Sequence, residues 1–326
     1  MRAAALISWL FGLALLAGLI LYWGAGDVAA ALALAGAGVL VVLPVNLGTL
    51  VADTLGWRAL LAQRPRPPLG ALAAMRWVGA SINELLPVAQ VGGEIVRARL
   101  LARSGTGGAR AGASVVVDLT LGLITELAVA SLGLALLLAH QGSGAELADL
   151  ALGLVVFGLL LAGFVIAQRR GAFLHLAHLL ERATGGRMWS EIAGGAAALD
   201  REILSCYGRS RGLAEGASFR TVGWLFGAVE LWVIFLVLDR PISVAEAVIL
   251  ESAIQIVRNV GFAIPGALGL QEGGLMAAGL WFGIAPEIGL AAALIRRARG
   301  LLYGCAGLLA WPLVRSARPA PAAGEP

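Results

Sequence analysis

Lysine is absent from this sequence, and all 24 basic residues of its 326 are arginine. A P-loop needs its lysine beside the phosphates, and Schiff-base chemistry needs an amine, so neither mechanism is available. Charge of either sign is scarce, at 13% of residues. With 59% hydrophobic residues and a mean hydropathy of +0.87, too little polar surface remains for a soluble domain. Only two cysteines occur, Cys206 and Cys305, far apart and without metal-ligand spacing, so no disulfide framework or zinc site can be argued. They read as reduced, small apolar side chains. Of three histidines, His175 and His178 stand three apart in HLAHLL with no further ligand nearby, which makes them one face of a surface helix. No metal or other cofactor is expected.

What remains is apolar sequence in long Leu/Ala/Gly-rich segments, the length of helices that cross about 30 Å of hydrocarbon. The short alternating segments of a membrane barrel are missing. The sequence therefore predicts an all-α, polytopic integral membrane bundle, with a single transmembrane domain over residues 1–315 and a short disordered tail over 316–326. A first span is expected over 5–23 and a second over about 28–51, the latter carrying Pro44 and Asn46. Arg58, Arg64 and Arg66 follow, and the positive-inside rule places that loop and both termini in the cytoplasm. Further spans are expected over 111–139, 150–167, 217–238 and 286–314. The arginine-rich stretch from about 168 to 216 reads as one or two amphipathic helices on the inner surface. A pI near 9.8 then speaks of anionic lipid, not nucleic acid. Trp9, Trp23, Trp57, Trp77 and Trp311 fall near predicted span ends as interfacial anchors.

The chain is organised around the polar, proline-broken run SINELLPVAQVGGEIVRARLLARSG at 81–105. A weaker echo, VGFAIPGALGLQEGG, occupies 260–274, and in each a proline precedes a glutamate by the same interval: Pro87 with Glu94, Pro265 with Glu272. Apolar length before the first break is too short for a span that enters and leaves on opposite sides. Two re-entrant helical hairpins are expected, over about 69–103 and 244–285, opening to opposite sides. Paired, Gly/Pro-interrupted segments at corresponding places in two halves are the mark of an inverted-repeat transporter core.

Charged residues within spans cost roughly 2.5–3.5 kcal/mol each on insertion scales, so they face a partner or a wet cavity. Glu94 and Arg97, three apart on a helix, share a face and can pair. Glu251, Gln255 and Arg258 form one stripe beside Asn259, Arg296 and Arg297 lie deep in the last span, and Asp118, Glu126 and Glu230 add carboxylates. One reading is a mid-membrane polar cavity, its arginines taking an anionic headgroup with help from exposed helix N-termini. The other is a set of internal salt bridges pinning the hairpins into the bundle.

These residues resemble the membrane-embedded flippase domain of lysylphosphatidylglycerol synthases and its stand-alone relatives. Asn83, Pro87, Gly93, Glu94 and Arg97 match that family's central pattern. Pro265, Gly266, Leu268, Gly269 and Glu272 match a second, in which Ala267 stands where the pattern has glycine. An arginine in the last span falls on Arg297, and the wording LLPVAQVGGEIVRARLL is similar to a branch associated with hopanoid biosynthesis. The resemblance implies a non-enzymatic lipid flippase, moving an anionic phospholipid or hopanoid-type lipid without ATP. Asn83, Pro87, Glu94, Arg97, Glu251, Arg258, Glu272 and Arg297 would form its translocation site. The aminoacyl-transferase domain of bifunctional relatives is not expected. Partners would be the lipid itself and either a second copy of the chain or lipid-biosynthesis enzymes. Two alternatives stand beside it: a membrane enzyme using paired carboxylates as acid and base, and a scaffold that docks such enzymes on its surface helices.

Overall fold

The computed structural model describes residues 36, 39–61, 66–86, 91–141, 145–184, 188–261, 264 and 267–316. The expected first span, the tail, Pro87 and Pro265 lie outside them, as do Trp9 and Trp23. Among the described residues there are helices and no strands: α1 (Val39–Leu60), α2 (Leu69–Leu85), α3 (Gly92–Leu101), α4 (Gly108–Gln141), α5 (Ala145–Arg169), α6 (Ala172–Thr184), α7 (Met188–Tyr207), α8 (Ser210–Val237), α9 (Val244–Val260), α10 (Leu270–Leu280) and α11 (Pro286–Ser316).

Among the described residues four helices are long and apolar enough to cross a membrane, namely α1, α4, α5 and α8. The most apolar, α5, has a mean hydropathy of 2.8 and is almost wholly turned away from the rest of the molecule, the position of a lipid-facing helix. At 31 residues α11 has the length, but Arg296, Arg297 and Arg299 in its middle keep it from reading as a plain span. The legs α2 and α9 have 17 residues each and their partners α3 and α10 have 10 and 11. At 1.5 Å per residue the second legs reach only about 15 Å, half of the hydrocarbon thickness.

The two halves repeat one packing plan. α2 packs on α3 and α9 on α10; α3 packs on α4 and α10 on α11. Each hairpin also docks across the molecule, α2 on α11 and α9 on α4, while α1 and α8 pack on each other. The same interval along the chain separates Glu94 from Glu272, Gly122 from Gly300 and Asp118 from Arg296. α1 and α8 run antiparallel, since Gly48 meets Phe226 while Gly56 meets Gly216 eight residues on. The corresponding helices α1 and α8 of the two halves therefore point in opposite directions. Hydrocarbon gives no hydrophobic drive for helix association, and it is these small residues that let α1 and α8 approach closely.

Local chemistry sets the boundaries. Ser243 accepts from the Glu246 backbone N–H at 3.2 Å while Glu246 accepts from the Ser243 N–H at 2.6 Å, a capping box that opens α9. Pro286 opens α11 at the position where its missing N–H costs nothing. Gly79 and Gly93 face each other where α2 crosses α3, and a methyl group on Gly93 would run into the Gly79 carbonyl oxygen. Ala267 holds φ +45° and Gly269 φ +78° in the turn before α10. That explains the expected glycine at 267: alanine occupies a left-handed conformation there.

Several boundaries differ from the sequence reading. α1 runs on through Arg58, which sits in its last turn and not in a loop. The stretch 168–216 holds two helices, α6 and α7, as expected, but α8 already begins at Ser210 because nothing in RGLAEGASFR stops a helix once it has started. Trp57 is no interfacial anchor: it is fully buried, donates to Ser114 Oγ at 3.1 Å and carries the Arg97 guanidinium 4.6 Å above its ring.

Candidate functional site

Between the hairpins and the α1–α8 pair lies a cavity of 520 Å³. Its charged lining consists of Asp53, Glu84, Glu94, Glu126, Glu230 and Glu251 with Arg76, Arg97, Arg220, Arg258, Arg296 and Arg299. Among the described residues six carboxylates meet six arginines, so that the ionised lining they form is formally neutral. A recess of 40 Å³ adjoins it, sharing Glu84, Arg258, Arg296 and Arg299 and adding Gln271, Glu272 and Arg297.

The first half contributes a chain of ion pairs. Arg220 reaches Asp53 at 2.7 Å; Arg76 bridges Asp53 at 3.0 Å and Asp118 at 2.9 Å. Arg97 binds the same Asp118 oxygen at 2.8 Å and Glu94 at 2.6 Å. Asn83 locks the hairpin, its Oδ1 accepting from the Gly93 N–H at 2.8 Å and its Nδ2 donating to Glu94 at 3.4 Å. A charge buried in hydrocarbon is tolerable only when so paired, which is why Arg97 and Asp118 can be almost inaccessible.

The second half mirrors this with the signs redistributed. Arg296 binds Glu251 at 2.7 Å and reaches Glu230 at 3.6 Å; Arg299 holds Glu230 through both of its oxygens, at 2.9 and 3.1 Å. Gln255 donates to Glu251 at 2.6 Å. Glu272 does two jobs: Oε1 accepts from Arg297 Nε and Nη2 at 3.0 and 2.8 Å, while Oε2 accepts from the Gly269 N–H at 2.7 Å. Glu84, on the first hairpin, lies 3.8 Å from both Arg258 and Arg297 and so ties the hairpins to each other.

The structure thus brings together Asn83, Glu94, Arg97, Glu251 and Arg258 on one cavity, and Glu272 and Arg297 on the adjoining recess. It also recruits residues that the sequence reading passed over: Asp53, Arg76, Glu84, Arg220, Arg299 and Tyr303. A lone aspartate or arginine inside an otherwise apolar run, as in LVADTLG and LAAMRWV, was the available signal. Two expectations change in form. One N–H at the start of α3, that of Gly93, is taken by Asn83, and one at the start of α10, that of Gly269, by Glu272. Arg97 on the first hairpin and Arg297 on α11 are not bare positive charges awaiting a headgroup, since carboxylates already hold both.

Outside the cavity the chemistry is bland. His175 and His178 are exposed on α6, and among the described residues no three metal-ligating side chains gather. Cys206 is buried on α7, where burial pushes its thiol up from the ordinary range. Asp200 caps α6 by accepting from the Leu174 N–H at 2.8 Å.

No curated protein and no solved structure is matched by this sequence. The model of the lysylphosphatidylglycerol synthase TM region, in contrast, matches residues 9–307, which include both hairpins and every residue of the cavity. The chain belongs to the family of the lysylphosphatidylglycerol synthase transmembrane region.

Proposed function

We propose that this membrane protein is a lipid flippase, moving an amphiphilic lipid of the anionic phospholipid or hopanoid type between leaflets of a bacterial inner membrane without ATP. The observation that carries the reading is the 520 Å³ cavity, lined by charge, between two short-legged helical hairpins. A space of that size is within the range of small-molecule sites, and a polar lumen in hydrocarbon is costly enough to call for a use. The inverted packing of the halves supports alternating access, one half rocking against the other around a fixed site. In this reading the hairpins are re-entrant, Arg258 and Arg297 meet the headgroup, and the acyl chains stay in lipid beside α5.

Neutral lining gives the exchange a physical logic. An entering phosphate competes with Glu84 and Glu272 for arginines that are already paired, so binding trades one ion pair for another instead of creating one. Such a trade keeps the site from trapping its cargo.

The reading is tested with purified protein in liposomes, following fluorescent phosphatidylglycerol and a hopanoid-like amphiphile by surface quenching in the absence of nucleotide. Exchange above the protein-free rate supports it. Folded protein that exchanges neither lipid removes it, and a chemically altered lipid recovered from the same vesicles would point to an enzyme.

A further inference from the structure

Glu126 departs from the pattern of the other acids in and around the cavity and its recess. Asp53, Glu84, Glu94, Asp118, Glu230, Glu251 and Glu272 each lie within 4 Å of an arginine. Glu126 is 94% buried, its side chain lines the cavity, and among the described residues it has no ion-pair partner. It accepts a hydrogen bond from the Asn259 amide, at 2.5 Å. A neutral donor cannot offset the desolvation of a carboxylate in this setting, whereas the carboxylic acid is at home there. The acid form still satisfies Asn259, because its carbonyl oxygen accepts the same bond.

The surroundings fit a site that changes charge. From α9 it faces Arg258, Glu251 and Asn259, and from α8 Arg220; α5 brings only the ring of Phe164 to the cavity. Arg220, Glu251 and Arg258 are engaged by Asp53, Arg296 and Glu84 in turn. Asp53, Arg76, Glu94 and Arg97 from α1, α2 and α3 are tied to one another or to Asp118. α7 meets α4 near its start, through Glu202 on Arg110. The charge balance makes Glu126 decisive: the lining is neutral with Glu126 ionised and carries one net positive charge with Glu126 protonated.

We infer that Glu126 is a proton site that couples to the headgroup, its protonation giving the cavity the positive charge that admits an anionic lipid. The step is a proton taken from water onto Glu126 Oε as the headgroup enters, and returned to water on the other side as it leaves. By linkage, a proton that favours the anion is itself favoured by the anion, to the same extent.

This inference rests on the flippase reading and is tested so that the two can fail separately. Wild type, Glu126→Gln and Asn259→Leu are reconstituted with fluorescent phosphatidylglycerol, and exchange is followed across pH and under an imposed pH gradient. Infrared difference spectra on pH titration report the carboxyl band directly. Wild-type exchange should rise as pH falls, by no more than about tenfold per pH unit, the limit for one proton, and a pH gradient should drive net movement. Glu126→Gln should exchange at a rate flat across pH and lack the titrating band. Asn259→Leu, which leaves the ionised form without its donor, should move the midpoint to higher pH. Wild-type exchange that ignores pH, a response to sodium in place of protons, or an unchanged pH response in Glu126→Gln overturns the inference and spares the flippase reading. Absence of any exchange by folded protein removes the flippase reading, and the coupling to a headgroup falls with it even where the titrating band remains. Should Glu126→Gln fail to fold, the midpoint shift in Asn259→Leu decides.

Discussion

Arg296→Met isolates what the buried ion pairs contribute. Arg296 is the arginine that holds Glu251, at 2.7 Å, and Glu251 is 1% exposed with Gln255 as its other neighbour. Glu230, the second carboxylate near Arg296, keeps its two bonds to Arg299. The substitution therefore strands one carboxylate. Stranding a buried charge costs roughly 3–5 kcal/mol, which is more than a hundredfold in the folding constant at about 1.4 kcal/mol per decade. Adding Glu251→Gln removes the stranded charge while keeping a side chain that Gln255 can still bond, and the penalty should fall to about 1 kcal/mol, the scale of one neutral hydrogen bond. Equilibrium unfolding in mixed micelles, run as a double-mutant cycle, measures this as a coupling of at least about 2 kcal/mol. A single variant as stable as wild type, or a double variant that shows the sum of two penalties, would refute the reasoning.

Other substitutions probe the hairpins and the cavity separately. Gly93→Ala should separate α2 from α3, since the new methyl meets the Gly79 carbonyl and the Asn83 amide; a loss of at least about 1–3 kcal/mol is expected, read as a lower midpoint in the same unfolding assay. Ala267→Gly should stabilise by about 1 kcal/mol, because alanine's left-handed φ of +45° costs more than glycine's extra chain entropy, and an unchanged or lower midpoint would show that the turn is not strained there. Arg297→Ala should abolish exchange and also weaken the fold by exposing Glu272 to an unpaired state; combining it with Glu272→Gln should restore the midpoint of unfolding while exchange stays lost. Recovered exchange in that double variant would remove Arg297 from the headgroup path.

The arginine placement and long apolar runs were enough to read an all-helical membrane bundle. Local spacing also revealed pairs that share a helix: Glu94 with Arg97, and the stripe of Glu251, Gln255 and Arg258. What spacing cannot show is a partner on another helix. Asp53 and Arg220 are 167 residues apart, and Arg76 and Asp118 are 42 apart. Each alone is a single charge in an apolar segment, whose meaning appears only when α1 crosses α8 or α2 meets α4. Trp57 fails for a related reason, since a tryptophan near a helix end looks the same whether it faces headgroups or lies beneath Arg97. The symmetry was faint in sequence because the halves keep positions and not signs: Asp118 in one corresponds to Arg296 in the other.

Filling the cavity tests the central claim most directly. Leu123 lines it from α4 and takes part in no ion pair or cap, so Leu123→Trp adds bulk to the lumen without touching the charges that hold the bundle. Exchange of fluorescent phosphatidylglycerol in liposomes should be fast for wild type and drop to the protein-free rate in this variant, at an unchanged midpoint of unfolding. Wild-type exchange through a filled cavity would mean that lipid crosses elsewhere, and that the charged lumen holds the helices together and does nothing more.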